Sequence, residues 1–158
     1  MSKVGIITDS VACIPPEVVK QYGIRIVPLN IYFDGTVYKE GINITPTEAY
    51  ELLLKDPDKF TTSPGSAGDY LEAYQEMSKK YQDILCVTLS SKLSTLYNMA
   101  QVAMEEAKSK LKKTKIVVID SLAAAGGEGL MALAAARAAD EGKSLDEVAG
   151  RYGTGSNR

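Results

Sequence analysis

Short apolar runs alternate with amphipathic stretches along the chain. Val4-Gly5-Ile6-Ile7 reads as a strand ending in Thr8-Asp9-Ser10. Pro15-Pro16-Glu17 opens a helix with Val18-Val19 on its buried side and Gly23 as its stop. Ile24 to Phe33 holds more strand material, and Pro28 within it breaks the strand or confines it to a sheet edge, because proline has no N–H for the ladder. Asp34-Gly35, set between Ile31-Tyr32-Phe33 and Val37-Tyr38, predicts a β-hairpin projecting from the main sheet. Thr45-Pro46-Thr47-Glu48 has the form of a capping box, and the helix it starts runs through Tyr50, Leu53 and Leu54 to Asp56-Pro57-Asp58. Phe60 to Gly68 reads as a polar loop. Asp69 to Tyr81 reads as an amphipathic helix, with Leu71, Tyr74 and Met77 near helical spacing.

The second half repeats the alternation. Ile84 to Leu89 is a buried strand that runs into Ser90, Ser91, Ser94 and Thr95, and Leu96 to Leu111 has helical spacing. Lys115 to Ile119 is a further buried strand with a β-branched run, followed by Asp120-Ser121, which echoes Asp9-Ser10 after the first strand. Gly126-Gly127 and Gly129 lead into an alanine-rich helix, Leu130 to Glu141, stopped by Gly142; Ser144 and Glu147 then frame one more capping box. Strands alternating with helices imply parallel βαβ units. The expected fold is a three-layer α/β/α domain with a mostly parallel sheet and a small β-hairpin, over residues 1–150, with an irregular tail at 151–158.

Composition narrows the function classes. The chain has 158 residues, 45% of them hydrophobic and 24% charged, which is enough for one ordinary core. A net charge of −2 leaves no basic footprint for nucleic acid. No apolar run approaches the roughly 20 residues that span a bilayer, and the start, MSKVGIITDS, is not a secretory signal, so no stable membrane insertion and a cytoplasmic location are expected. Histidine is absent, which excludes a Ser-His-Asp or Cys-His arrangement and histidine metal ligands within this chain. Cys13 and Cys86 form no CxxC pair; Cys86 is expected to pack as a small hydrophobe. There is neither a GxGxxG after the first strand nor a GxxxxGK[ST], so no nucleotide cofactor is expected.

Two hydroxyl clusters remain. Ser90, Ser91, Ser94 and Thr95 sit where a strand ends and a helix begins, the edge of an open α/β sheet at which ligands bind. Free N–H groups at the start of that helix suit an anion. Thr61-Thr62-Ser63 precedes another expected helix. Together the clusters could hold a small carboxylate. On spacing alone, helix capping by Thr62, Ser91 and Ser94 is the commoner role for such residues. For Asp9 and Asp120 the commoner role is likewise capping or loop hydrogen bonding.

The strings IITDSVACIPPE, IVPLNIYFDGTVYKEGINITPTEAY, TTSPGSAGDYLEAY, VTLSSKLSTLYNMA and VIDSLAAAGGEGL resemble, in order, the N-terminal domain of the DegV family, over about positions 3–150. The resemblance implies a bacterial fatty-acid-binding protein with no catalysis of its own. The acyl chain would lie in an apolar tunnel with its carboxylate on hydroxyls, and some members present that carboxylate to a separate fatty acid kinase. By position, Thr62 matches the threonine of a TSQPS-like loop, with Ser63 beside it. Ser94 matches the serine of an SSKLSGT-like segment, in which Ser90 and Ser91 are supporting donors.

The sequence departs from the family pattern in three places. The loop reads TSPGS; Thr95 stands where a glycine usually follows the serine; and Leu96 replaces a threonine. The family's second domain is not in these 158 residues, which implies that half the tunnel is missing and that an exposed apolar face could drive self-association. Two other readings stay open. One is an Mg-dependent phosphotransferase or hydrolase using Asp9, although Val11 stands where a DxD signature would put its second aspartate. The other is an interaction module that binds no ligand.

Overall fold

The computed structural model describes residues 4–150; the predicted tail at 151–158 lies outside the described residues. Its elements, in chain order, are β1 (Val4–Asp9), α1 (Pro16–Tyr22), β2 (Arg25–Val27), β3 (Asn30–Phe33), β4 (Thr36–Lys39), α2 (Pro46–Lys55), β5 (Phe60–Ser63), α3 (Ala67–Ser78), β6 (Asp83–Thr88), α4 (Leu96–Lys110), β7 (Lys115–Asp120), α5 (Gly126–Asp140) and α6 (Leu145–Gly150). Four strands form a parallel sheet in the order β2-β1-β6-β7, and three form a separate antiparallel sheet in the order β4-β3-β5. The three-layer α/β expectation holds.

Both faces of the parallel sheet are covered, which is why its strands read as continuous apolar runs. Side chains alternate between faces with period two. Val4, Ile6, Leu85 and Val87 pack with the alanines of α5 and with Leu145 and Val148 of α6. Ile7, Ile84 and Cys86 face the other way, onto Tyr70, Tyr74 and Met77 of α3 and Leu96, Ala100 and Ala103 of α4. Gly5 is required by this packing: a Cβ there would lie 2.7 Å from the Tyr81 ring and 2.8 Å from Met77. A small third core of Ile31, Ile44 and Ala49 joins the antiparallel sheet to α2.

The expected punctuation is largely present. Pro28 separates β2, an edge strand, from β3, and Asp34-Gly35 closes the β3–β4 hairpin with φ of 46° and 80°. The capping boxes Thr45/Glu48 and Ser144/Glu147 both form.

Three expectations need correction. Phe60–Ser63 is a strand and not the start of a loop, because it adds to β3 as an antiparallel third strand and completes the hairpin. The following helix spans Ala67–Ser78 rather than starting at Asp69. Ser66 is its cap, and Asp69 is the third-position acid of a capping box. The alanine-rich helix begins at Gly126 and not at Leu130. Its glycines are used inside the first turn, where a Cβ on Gly129 would lie 2.3 Å from the Ala12 carbonyl oxygen. Close approach to the turn after β1 overrides the poor helix propensity of glycine.

Candidate functional site

The carboxyl ends of β2, β1, β6 and β7 lie side by side at one sheet edge, and the turns that follow them carry most of the residues singled out by sequence. Parallel pairing puts neighbouring strands about 4.8 Å apart, so the ends of β2 and β6, with β1 between them, are about 10 Å apart.

The turn after β6 is held together by a network of hydrogen bonds at this edge. Ser90 is buried and acts as its hub. Its N–H donates to the Ala123 carbonyl (3.0 Å), its carbonyl accepts from Leu93 and Ser94 N–H (2.9 and 3.2 Å), and its Oγ accepts from Lys92 N–H (3.3 Å). Ser91 is exposed, and its N–H donates to Asp120 Oδ1 (3.1 Å). Ser94 is half-buried, and its Oγ accepts the Leu96 N–H at 3.3 Å. Thr95, at the cap position of α4, supplies no side-chain cap; with the Leu96 N–H taken by Ser94, the N–H groups of Tyr97 and Asn98 are the ones left without an acceptor among the described residues at this edge. Ser90, Ser91 and Ser94 are therefore gathered in one turn.

Thr62 and Ser63 sit elsewhere. They belong to β5 of the antiparallel sheet, where Thr62 pairs with Ile31 and Ser63 with Asn30. The Ser63 hydroxyl accepts from Asn30 Nδ2 (3.3 Å) and donates to the Tyr32 hydroxyl (3.2 Å). Thr62 is exposed, and its hydroxyl has no hydrogen-bond partner among the described residues. The strand is tied back to the shared edge just beyond Ser63. Gly65 packs so closely on the end of β2 that a Cβ would lie 2.9 Å from the Pro28 carbonyl oxygen and 3.1 Å from Val27. A second tie is Ser10, whose hydroxyl donates to Glu40 Oε2 (2.5 Å) and accepts from Leu29 N–H (3.0 Å).

The two strand-end aspartates brace the β6 turn. Asp9 is fully buried; its Oδ1 accepts from Val11 N–H (3.1 Å), and its Oδ2 accepts from Leu89 N–H (2.9 Å). The expected capping role is thus real, and it occupies both oxygens of the group that a phosphotransferase would use as a nucleophile. Asp120 accepts from Ser91 and Leu122 N–H (3.1 and 3.0 Å). Partial burial pushes its carboxyl upward, but bonds from Ser91 and Leu122 and the Lys92 charge outweigh it and hold it below the usual carboxylate range.

A group missed in the sequence lies behind Asp9. Glu128, in the first turn of α5, is fully buried and accepts the Thr8 hydroxyl at Oε1 (3.0 Å). Burial, then the neighbouring Asp9 carboxylate, pushes its pKa up to about 9. A signal for it exists: Glu128, Ala132, Ala135 and Ala139 fall on one helical face, all buried.

Apolar and strained features flank the hydroxyls. Leu93, Leu122 and Leu130 are 68%, 67% and 68% exposed, in the β6 turn, the β7 turn and the start of α5. The first two turns are joined by the Ser90–Ala123 bond. Cys13, Leu122 and Ala125 adopt positive φ (50°, 52° and 48°) in turns at this edge. Cys13 is exposed and Cys86 buried, the latter as its strand position implied. Among the described residues no group of three His, Cys, Asp or Glu side chains could hold a metal ion, and no helix is long and apolar enough to cross a membrane.

Comparison with known proteins adds the family. The model described as "Uncharacterised protein, DegV family" matches residues 3–152. A DegV domain-containing protein of Caldanaerobacter subterraneus is 37% identical over 148 residues, 94% of this chain and 51% of that protein. Among solved structures, a fatty-acid-binding DegV family protein from Thermus thermophilus superposes with a TM-score of 0.83 at 30% identity, over 95% of this chain and 52% of the other. A stearic-acid-binding protein from Eubacterium ventriosum gives 0.85 at 27% identity, over 96% and 52%. The chain spans about half the length of the curated relatives it matches.

Proposed function

The chain belongs to the DegV family, and on that premise we propose that it binds a long-chain fatty acid and holds the carboxylate at the carboxyl edge of the parallel sheet. Thr62 and Ser94 donate their hydroxyl protons to the carboxylate. Ser90 and Ser91 shape and support the turn, Ser63 fixes the strand that carries Thr62, and the open N–H groups of α4 add partial positive charge. The acyl chain runs over Leu93, Leu122 and Leu130. Two observations support this reading: the Thr62 hydroxyl has no hydrogen-bond partner among the described residues, on a strand tied back to the end of β2 just beyond Ser63, and the start of α4 at the carboxyl edge of the parallel sheet has no cap from the Thr95 side chain, with Leu93 and Leu122 exposed in the turns there. The solved relatives described as binding fatty acid and stearic acid supply the ligand class.

The energetics assign the two ends different jobs. Each buried CH₂ contributes about 0.8 kcal/mol, so the acyl chain dominates affinity. Hydrogen bonds to an ionised acceptor are roughly twice as strong as neutral ones, so the headgroup sets orientation. The protein does no chemistry itself in this reading: it works in the cytoplasm, requires no cofactor, and presents the carboxylate to a separate kinase. Where Leu93, Leu122 and Leu130 are not covered by ligand or by further chain, they drive self-association.

The test is solvent extraction of the purified protein followed by mass spectrometry, with affinity for stearate measured in wild type and in Thr62→Ala/Ser94→Ala. The expected result is a co-purifying fatty acid and an affinity loss of about tenfold or more in the double variant, at about 1 kcal/mol or more for each charge-assisted bond. A folded protein with no fatty-acid affinity would overturn the function. Equal binding by the two proteins would overturn the hydroxyl assignment.

A further inference from the structure

Glu128 presents an unsolved polar atom. Its Oε1 accepts the Thr8 hydroxyl, but Oε2 is buried with no donor to pair with. An ionised carboxylate would leave that oxygen orphaned in an apolar setting at considerable cost. A protonated carboxyl resolves it, because Oε2–H can donate to the Asp9 carboxylate that faces it. Asp9 suits the acceptor role, since it already takes two backbone N–H groups, from Val11 and Leu89, and both stabilise its charged form. The chain of contacts then runs from α5 through Glu128 to Asp9, to the Leu89 N–H, and into the turn hinged on Ser90. Gly129 locks the same junction by packing on the Ala12 carbonyl.

We infer that Glu128 is a positioning residue for the ligand-holding turn: it donates a proton to Asp9, and Asp9 so fixed sets Leu89 and the Ser90–Ser94 segment. This deepens the fatty-acid reading by naming a control on the same site, and the ligand half of its test rests on that reading. Loss of the Glu128 proton to solvent puts two carboxylates against each other in a buried space. Asp9 then gives up its bond to Leu89, and the turn loosens.

Among the described residues, the groups facing the pair include no cation to absorb the second charge. They are Glu40 beyond Ser10, the Cys13 thiol in the turn after β1, the Tyr70 hydroxyl from α3 and the Cys86 thiol from β6. Burial and these acids hold Cys13, Cys86 and Tyr70 above their ordinary values. The helix dipole of α5 favours the charged form of Glu128, but burial and Asp9 outweigh it.

Three measurements on the 158-residue chain test this: carboxyl carbon NMR of Glu128, amide hydrogen exchange at Leu89 to Ser94, and affinity for anthroyloxy-stearate, each from about pH 7 to about pH 10. The wild type should lose Leu89 protection in step with Glu128 ionisation, and probe affinity should fall about tenfold over that range. Glu128→Gln keeps a donor and cannot ionise, so its profiles should be flat. Glu128→Ala should already show the loosened turn at neutral pH; if it does not fold, the glutamine variant carries the test. Cys13→Ser should leave the wild-type profile in place. A Glu128 ionised at neutral pH, an unchanged Leu89 amide through its titration, a glutamine variant that tracks wild type, or a profile abolished by Cys13→Ser would each overturn the inference. A probe that never binds, while Leu89 still follows Glu128, would sink the fatty-acid reading and leave the positioning role standing.

Discussion

Asp9-Ser10 and Asp120-Ser121 are the same dipeptide at the ends of β1 and β7, the two strands flanking β6, and both aspartates hold the turn that β6 feeds. Their surroundings are opposite. Asp9 is sealed against Glu128, and burial raises its pKa; Asp120 is partly exposed, with Lys92 nearby, and sits below the usual range. The pair shows that strand-end geometry assigns the bracing role, while burial and neighbours decide what it costs and which pH threatens it.

The largest effect expected is from truncating the two aspartates. Asp9→Ala leaves the half-buried Val11 and buried Leu89 N–H groups without acceptors and strands Glu128, for a loss of about 4 kcal/mol. Asp120→Ala exposes its two N–H donors to water and should cost only about 1 kcal/mol. Urea unfolding of both variants checks this, and equal losses would dissolve the contrast.

The pH dependence comes next, and the two acids pull in opposite directions. Glu128 sits near 9 when folded against an ordinary value of 4.5, so between those limits the folded state holds more protons than the unfolded. Stability therefore falls as pH rises toward 9, by about 2–3 kcal/mol between neutrality and pH 9, since each pH unit is worth about 1.4 kcal/mol at most for one proton. Asp120 is depressed below 3.8, so its contribution is present above that value and is lost as pH falls through its folded pKa. Urea midpoints for wild type and Glu128→Gln across this range decide the matter; a glutamine variant with the wild-type alkaline slope would show that Glu128 is not the source.

The same physics explains what the sequence could reveal. The runs in β1 and β6 and the Asp34-Gly35 turn are local signals, and so are the Thr45 and Ser144 caps; the structure forms each of them. Phe60-Thr61-Thr62-Ser63 is too short and polar to show a period, and its strand character comes from β3, about thirty residues earlier in the chain. The start of α3 was hidden because Pro64-Gly65 masks the Ser66 cap. Glu128 escaped notice because a charged residue is rarely buried without a partner, and its partner is 119 residues away along the chain. Of the candidate ligand residues, Ser90, Ser91 and Ser94 were legible as one turn. Thr62 and Ser63 were legible as hydroxyls, but their placement in a second sheet depends on long-range pairing.

That last pair gives the smallest and most discriminating stability test. Ser63 and Thr62 are adjacent, yet strand alternation sends their side chains to opposite faces of β5. The Ser63 hydroxyl is committed to Asn30 and Tyr32, so Ser63→Ala should cost about 1 kcal/mol. The Thr62 hydroxyl has no partner, so Thr62→Ala should change stability by less than about 0.5 kcal/mol while weakening ligand binding. A neighbouring pair in which one change is read by denaturation and the other by titration with stearate separates a hydroxyl that holds the fold from one left open for a guest. If Thr62→Ala destabilised the protein as much as Ser63→Ala, both would be structural, and the ligand site would reduce to the β6 turn and the start of α4.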